Sequence, residues 1–323
     1  MRALALISGG LDSILAARLI LDQGVDVLGV SFQSPFFTAE GGRASAQEMG
    51  IDLAAIDLSE DLLEVIAAPK HGFGKHMNPC IDCHALMVRR AGERMEALGA
   101  SFVVTGEVVG QRPKSQMRFG LEAVERESGL EGLLLRPLSA KLLAPTIPER
   151  EGWVDRERLL GLHGRTRKPQ LELARKYGIT KYLSPAGGCL LTDENFARAL
   201  SDLRAHGQMS VPEIRLLSVG RQFRLSDRAK LSVGRNHAEN EALFELKPEG
   251  GLFVKALDCK GPVGVLSAGA NEEDLKLAAA IVSRYADTPA GEPVRVQLWE
   301  EGGEPREVEV VPLPPRAVRE LKV

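Results

Sequence analysis

Two groups of residues in this chain are spaced for chemistry. The first is Ser8-Gly9-Gly10-Leu11-Asp12-Ser13. Adjacent glycines reach backbone angles closed to other residues and let main-chain N–H groups approach a ligand. A helix starting just behind them adds N–H donors and the positive end of its dipole, a combination that attracts phosphate. Ser8 and Ser13 supply hydroxyl donors, and Asp12 is placed to hold Mg2+ or to cap the helix. A capped helix after a glycine turn is the plain alternative. No Gly-Lys-Ser/Thr follows, so this is not a Walker loop.

The second group is made of thiols. Cys80-Ile-Asp-Cys83 stands before a helix and turns both sulfurs toward one small volume. Cys189 follows more than a hundred residues later, in Ser184-Pro-Ala-Gly-Gly-Cys189, where two glycines permit close backbone approach. Structural zinc asks for a fourth ligand, which here means His84, Cys259 or a group the sequence does not single out. A redox pair leaves Cys189 without a role. Three thiolates also hold an iron–sulfur cube with one iron open. Spacing alone leaves all three readings standing. Asp82 reads as a loop carboxylate with a proton acceptor as the rival role. His71, His76 and His84 read as loop histidines, Cys259 as a small core side chain, and Lys141 as a weak phosphate contact.

The elements that must position these groups alternate between strand and helix. Leu4–Ile7 is an apolar run ending at the glycine turn. Ile14, Leu15, Leu19 and Ile20 recur at helical spacing until Gly24. Val27–Phe32, Ile51–Leu58 and Phe102–Thr105 read as further strands, with helices over Ala44–Met49 and Ala85–Leu98 between them. Such alternation implies a mostly parallel sheet whose ligands bind beyond the carboxyl ends of the strands. After the helix Phe196–His206, a linker ending at Pro212 leads to short strands at Lys230–Val233, Leu252–Val254 and Val294–Leu298 and a helix at Asn271–Tyr285. The expected organisation is an α/β domain over 1–207 and a smaller α+β domain over 213–323. The acidic run Glu300–Glu309 reads as a solvated hairpin edge.

Composition sets the outer limits. The chain has 323 residues, 44% hydrophobic and 26% charged, enough for a large core and unlike a disordered chain or a disulfide scaffold. Forty-one Lys and Arg against 44 Asp and Glu leave a net charge of −3, so any polyanion site is a local patch. An aromatic content of 5% weighs against a protein that mainly stacks single-stranded bases. No stretch reaches the roughly 18 apolar residues of a membrane span. The apolar start breaks at Gly9, too early for a signal peptide, so a cytoplasmic protein with reduced thiols is expected.

The loop at 8–13 resembles the SGGxDS pyrophosphate loop of ATP pyrophosphatases (PP-loop enzymes), which adenylate a substrate oxygen. Together with Thr105-Gly106-Glu-Val-Val-Gly110-Gln111, Ser115-Gln116 and Arg136-Pro137-Leu138, the first 195 or so residues resemble the tRNA 4-thiouridine synthetase family. The resemblance implies a Rossmann-like PP-loop domain and a tRNA sulfurtransferase activity, with 4-thiouridine favoured over 2-thiouridine. It implies ATP and Mg2+ held by Ser8, Gly9, Gly10, Asp12, Ser13, Ser31, Phe32, Thr105, Gly106 and Gln111, with Asp12, Ser13 and Cys189 catalytic. Some tRNA thiolation enzymes bind a [4Fe-4S] cluster through a Cys-x-x-Cys and one distant cysteine. On that pattern Cys80, Cys83 and Cys189 are the cluster ligands, with zinc as the alternative metal. Sulfur is expected as sulfide or from a persulfide donor such as a cysteine desulfurase. Gly220-Arg-Gln-Phe-Arg224 and Val233-Gly-Arg-Asn236 resemble the RNA-binding domain of NFACT-type proteins. The alternatives are a small-molecule ligase of the deazaguanine nitrile synthase type and a non-catalytic RNA-binding zinc protein.

Two basic clusters are the expected tRNA contacts. Arg165, Arg167 and Lys168 open a stretch to Lys181 with one acid, and Arg221, Arg224 and Arg235 lie in a second stretch with one acid. Such clusters supply affinity through phosphates without reading sequence.

Overall fold

The computed structural model describes residues 1–184, 189–288 and 291–323. They form two compact units, Met1–Cys189 and Leu190–Val323.

The first unit is built on a parallel sheet of β1 (Arg2–Leu6), β2 (Asp26–Gln33), β3 (Leu53–Asp57), β4 (Phe102–Val104) and β5 (Leu134–Leu135), in the order β3-β2-β1-β4-β5. Its helices are α1 (Leu11–Leu21), α2 (Glu40–Met49), α3 (Ser59–Ala67), α4 (Cys80–Gly92), α5 (Arg118–Ser128), the one-turn α6 (Ile147–Arg150) and α7 (Lys168–Lys176). Ala3, Leu4 and Ala5 of β1 are all buried, as a central parallel strand covered on both faces requires. From β1 the chain winds outward to β2 and β3, then crosses back to β4 and β5 on the other side. The strand order therefore reverses between β1 and β4, the place where sheets of this kind bind ligands. Ser8–Gly10 leaves β1 at that point, and Thr105–Glu107 leaves β4 beside it.

The helix expected over Ala85–Leu98 begins at Cys80 and ends at Gly92, so both paired cysteines lie in its first turn. The Cys83 amide donates to the Pro79 carbonyl (2.9 Å), which starts the helix five residues earlier than its apolar pattern suggests.

The second unit holds an antiparallel sheet of β6 (Arg221–Arg224), β7 (Lys230–Val233), β8 (Leu252–Ala256), β9 (Val263–Leu266), β10 (Val294–Trp299) and β11 (Arg306–Val310), in the order β11-β10-β8-β9-β7-β6. With it go α8 (Glu194–Ala205), α9 (Val211–Leu216), α10 (His237–Leu246), α11 (Glu272–Arg284) and α12 (Pro315–Glu320). Ala278, Ile281 and Val282 of α11 join Phe223, Leu231, Val254 and Val296 in one core. The division between units falls at 189/190, whereas the sequence suggested 207/213. Helix α8 goes with the second unit because its Asp202 accepts from Arg224 of β6 (3.0 Å). The expected linker is also partly helical, since Ser210 caps α9 with Pro212 in its first turn. Among the described residues no helix is long and apolar enough to cross a membrane.

Candidate nucleotide and thiol site

The phosphate loop is built by close backbone packing. Gly9 has φ +84, and a Cβ there would meet the Gly41 backbone at 2.7 Å. Gly10 occupies the N-cap of α1, and no side chain caps that helix start. Asp12 is therefore not the cap that the sequence suggested. Ser13 Oγ instead donates to the Gly10 carbonyl (2.8 Å), and the Ser8 and Ser13 hydroxyls stand 3.5 Å apart. A helix start without a side-chain cap keeps its amides and dipole for an anion.

Strand β4 delivers its own motif to the same place. A Cβ on Gly106 would lie 2.5 Å from the Asp12 carbonyl carbon and the Ser13 nitrogen, so only glycine lets this turn pack on the start of α1. Gln111 Nε2 donates to Asp12 Oδ2 (2.6 Å). Gln170 Nε2 of α7 donates in turn to Gln111 Oε1 (2.8 Å). Asp12 Oδ1 is buried with no hydrogen-bond partner among the described residues, an acceptor whose chemistry suits a cation. Ser31 and Phe32 are buried at the end of β2, where a Cβ on Gly42 would meet Ser31 Oγ at 2.4 Å. Thr105 is buried behind the loop, its hydroxyl donating to Glu107 Oε2 (3.1 Å).

Glu107 joins the nucleotide motifs to the thiol helix. Its carboxylate accepts from Arg136 Nε (2.9 Å) and lies 3.0 Å from His84 Nδ1, next in sequence to Cys83. Burial alone would raise the Glu107 carboxyl, but Arg136 and His84 outweigh it and hold the group at about 2. Arg136 is buried as well, donating to Glu125 Oε2 (3.1 Å) and the Leu121 carbonyl (2.9 Å) of α5. Sequence reasoning gave no site role to Glu107 or Gln170, read His84 as a loop histidine or spare ligand, and used Arg136 only for resemblance. Glu107 sits inside the quoted Thr-Gly-Glu string and was there to be found; Gln170 carried no signal.

Cys80 and Cys83 share the start of α4. Burial raises the Cys83 thiol well above its ordinary range, and the charges of Cys189, Cys80 and Asp82 act in the same direction. Burial also raises Cys80, partly offset by Arg112 and Lys114. None of the four cysteines is in a disulfide. Among the described residues no three His, Cys, Asp or Glu groups stand in a preformed metal-ligand arrangement. Gly187 and Gly188, expected to bring the backbone close before Cys189, lie outside the described residues. Upstream, the Leu183 amide donates to the Gly9 carbonyl (2.8 Å), so the segment leading to the third thiol pairs with the phosphate loop itself.

The other candidates have local partners. Asp82 accepts the His71 amide (3.1 Å), the role of a loop carboxylate. His76 takes a left-handed backbone at φ 56. Lys141 Nζ donates to the Glu157 carbonyl (2.9 Å). Cys259 packs half-buried on the core of the second unit. Arg165 and Lys168 are exposed and Arg167 half-buried. Their segment is tied to the nucleotide loop where the Gly164 amide donates to the Val109 carbonyl (2.8 Å). In the second unit Arg221 lies 4.4 Å from the Tyr285 ring, Arg224 is held by Asp202, and Arg235 Nε donates to Glu239 Oε1 (2.9 Å).

With this geometry in view, residues 1–141 match the family model "Thiamine biosynthesis protein (ThiI)". The matched residues hold the parallel sheet, the phosphate loop and the Thr105–Gln111 turn. Residues 220–321, within the second unit, match the family model "NFACT protein RNA binding domain". A "tRNA-specific 2-thiouridylase MnmA" of Nitratidesulfovibrio vulgaris is 33% identical over 34% of this chain and 36% of its own length. That of Geobacter metallireducens is 25% identical over 64% of this chain and 60% of its own. The chain thus spans about a third to three fifths of these relatives. A solved structure described as a 4-thiouridine synthetase–RNA complex with bound ATP aligns at 23% identity and TM-score 0.44, over 67% of this chain and 52% of that one.

Proposed function

We propose that this protein is an ATP-dependent tRNA sulfurtransferase that replaces a uridine carbonyl oxygen with sulfur, oxygen 4 being favoured over oxygen 2. One observation carries the reading. Gly106 packs on the Asp12–Ser13 backbone while the next residue, Glu107, holds His84 beside Cys83, so one turn joins phosphate loop and thiols. The carboxy-terminal RNA-binding match supports a nucleic-acid substrate and weighs against the small-molecule ligase alternative.

A carbonyl oxygen leaves poorly until it is esterified. The uridine oxygen attacks the α-phosphorus of ATP, pyrophosphate departs, and the base becomes an AMP ester. The amides of Gly9, Gly10 and the α1 start steady the charge developing on the pyrophosphate. Asp12 Oδ1, without a hydrogen-bond partner among the described residues, would be the protein contact for Mg2+, and Gln111 fixes the carboxylate through Oδ2. Sulfide then adds to the activated carbon; with a persulfide donor such as a cysteine desulfurase, the outer sulfur adds and a second thiol cleaves the S–S bond, ending as a disulfide. AMP leaves with the original oxygen, and a thiocarbonyl remains.

Cys80, Cys83 and Cys189 would hold a [4Fe-4S] cluster. Their donor set fits one, because the desolvated Cys80 and Cys83 thiols are held protonated unless a cation compensates their charge. When bound, such a cluster supplies an open iron for sulfur. Zinc is the alternative occupant. Arg165, Arg167 and Lys168 are the first-unit contacts for tRNA, with Arg221, Arg224 and Arg235 assigned to the second unit.

Anaerobically purified protein given tRNA, Mg-ATP and sulfide is expected to release AMP and pyrophosphate only when tRNA is present. Mass spectrometry of the digested tRNA is expected to show a thiolated uridine. A Cys189→Ala protein retaining full iron content and full thiolation would overturn the ligand assignment. Absence of any thiolated nucleoside from active preparations would overturn the reaction.

A further inference from the structure

Next to the thiols runs a loop that the reaction outlined above leaves without a task. With the first turn of α5, which it enters at Arg118, it carries three cations, Arg112, Lys114 and Arg118, and two exposed apolar side chains, Met117 (44% exposed) and Phe119 (58%). A single exposed apolar residue is ordinary. Here the frame of the loop is fixed while its apolar side chains face water. Ser115 and Gln116 are buried, and the Gly110 amide donates to the Gln116 carbonyl (2.7 Å). A Cβ on Gly120 would lie 2.3 Å from the Lys114 carbonyl oxygen, so the loop is pressed against the start of α5. Lys114 is kept at φ 64, a left-handed conformation unfavourable for any residue with a Cβ and sustained only when its surroundings over-determine it.

The loop also borders the thiol site. Lys114 Nζ donates to the Phe73 carbonyl (2.6 Å), in the segment leading to Cys80. Cations set beside an open aromatic face are the recognition chemistry of a single nucleic-acid strand, phosphates meeting the charges and a base meeting the ring.

We propose that the Arg112–Phe119 loop receives the tRNA strand carrying the target uridine, with Phe119 stacking on a base and Arg112 and Lys114 facing its phosphates. This rests on the thiolation reading and adds where the substrate strand lies, at a place the basic clusters do not cover. Phe119 is largely in solvent, so its replacement leaves the core untouched.

Full-length wild type, Phe119→Ala and Phe119→Trp proteins, reconstituted anaerobically, are compared with ATP, free sulfide and tRNA. Phe119→Ala is expected to raise the KM for tRNA about tenfold or more, the loss of one stacked base, with ATP affinity retained. Phe119→Trp is expected to restore it. tRNA substituted with 5-bromouridine is expected to cross-link under ultraviolet light to the peptide containing residues 112–119. An active wild type with an unchanged KM in Phe119→Ala and cross-links elsewhere would overturn the loop assignment alone. A wild type that makes no thiolated nucleoside would overturn the thiolation reading and this inference with it. A Phe119→Ala defect that appears only with a protein persulfide donor, and not with free sulfide, would assign the loop to that donor and overturn the RNA contact.

Discussion

Replacing Glu107 by Gln removes one carboxylate charge from a pocket that still contains the Arg136 guanidinium. Both side chains are almost wholly buried, at 6% and 3% exposure, so solvent screens the pair little. Losing one partner of a buried pair costs about 3–5 kcal/mol, and the remaining Arg136–Glu125 contact at 3.1 Å points to the lower end. The carboxyl itself gives a similar figure. It falls from an ordinary 4.5 to about 2, and at about 1.4 kcal/mol per pH unit that is roughly 3 kcal/mol. A carboxyl lowered by folding stabilises the fold fully above its unfolded value and loses that contribution as the pH falls toward its folded value. Wild-type stability should therefore contain a part that is constant above about pH 4.5 and declines toward pH 2, and Glu107→Gln should lack it. Because His84 follows Cys83 on α4, the local readout is alkylation of the buried Cys83 thiol in metal-free protein. A loss of about 3 kcal/mol corresponds to roughly a hundredfold faster labelling if opening is in rapid equilibrium. Equal labelling rates, with superimposable acid unfolding curves, would refute the clamp.

Three other outcomes are expected. Gly106→Ala forces a Cβ to 2.5 Å from the Asp12–Ser13 backbone and should weaken ATP binding at least about tenfold in calorimetric titration; wild-type affinity would show that the turn has room to move. Reversing charge at Arg165, Arg167 and Lys168 should weaken tRNA binding, keep ATP binding, and flatten the slope of log affinity against log salt by about 2 to 3. An unaltered slope would remove these residues from the interface. Lys230 is buried in the second unit with no hydrogen-bond partner for Nζ among the described residues, and burial lowers its ammonium to about 8 despite the attraction of Glu213. Between about 8 and its ordinary 10.5 the unfolded chain binds the extra proton, so this penalty is full below pH 8 and fades as the pH rises. Lys230→Met should stabilise the second unit at pH 7 by about 1–3 kcal/mol in urea unfolding, less at pH 10; a destabilised variant would mean that the ammonium has a partner worth keeping.

The parallel sheet was legible because its central strands are buried on both faces and therefore read as unbroken apolar runs, Leu4 on β1 and Phe102 on β4 among them. The phosphate loop was legible because its groups are contiguous, so one short string carries both the geometry and the chemistry. The misread boundaries have local causes. Ser210-Val-Pro-Glu serves equally as a linker and as the capped start of α9, and only the helix that follows decides between them. Helix α8 was assigned to the first unit because the ion pair of Asp202 with Arg224 spans residues that no periodicity relates. The same holds within the site. His84, Glu107 and Arg136 lie in three separate segments, and a buried clamp among them exists only once β4, α4 and α5 have packed. The left-handed Lys114 was equally hidden, since nothing in Arg112–Phe119 shows that Ser115 and Gln116 turn inward while Phe119 turns out.

The gap of more than a hundred residues between the paired thiols and the third has a consequence for how the protein is made. At ~5–20 residues per second, Cys80 and Cys83 emerge from the ribosome roughly 5–20 s before Cys189. By then β4, β5 and the phosphate loop have been synthesised, and the Leu183 amide has a finished Gly9 carbonyl to meet. The nascent chain therefore passes through a stage in which the phosphate loop and the sheet that carries it are complete while the third sulfur is still to come.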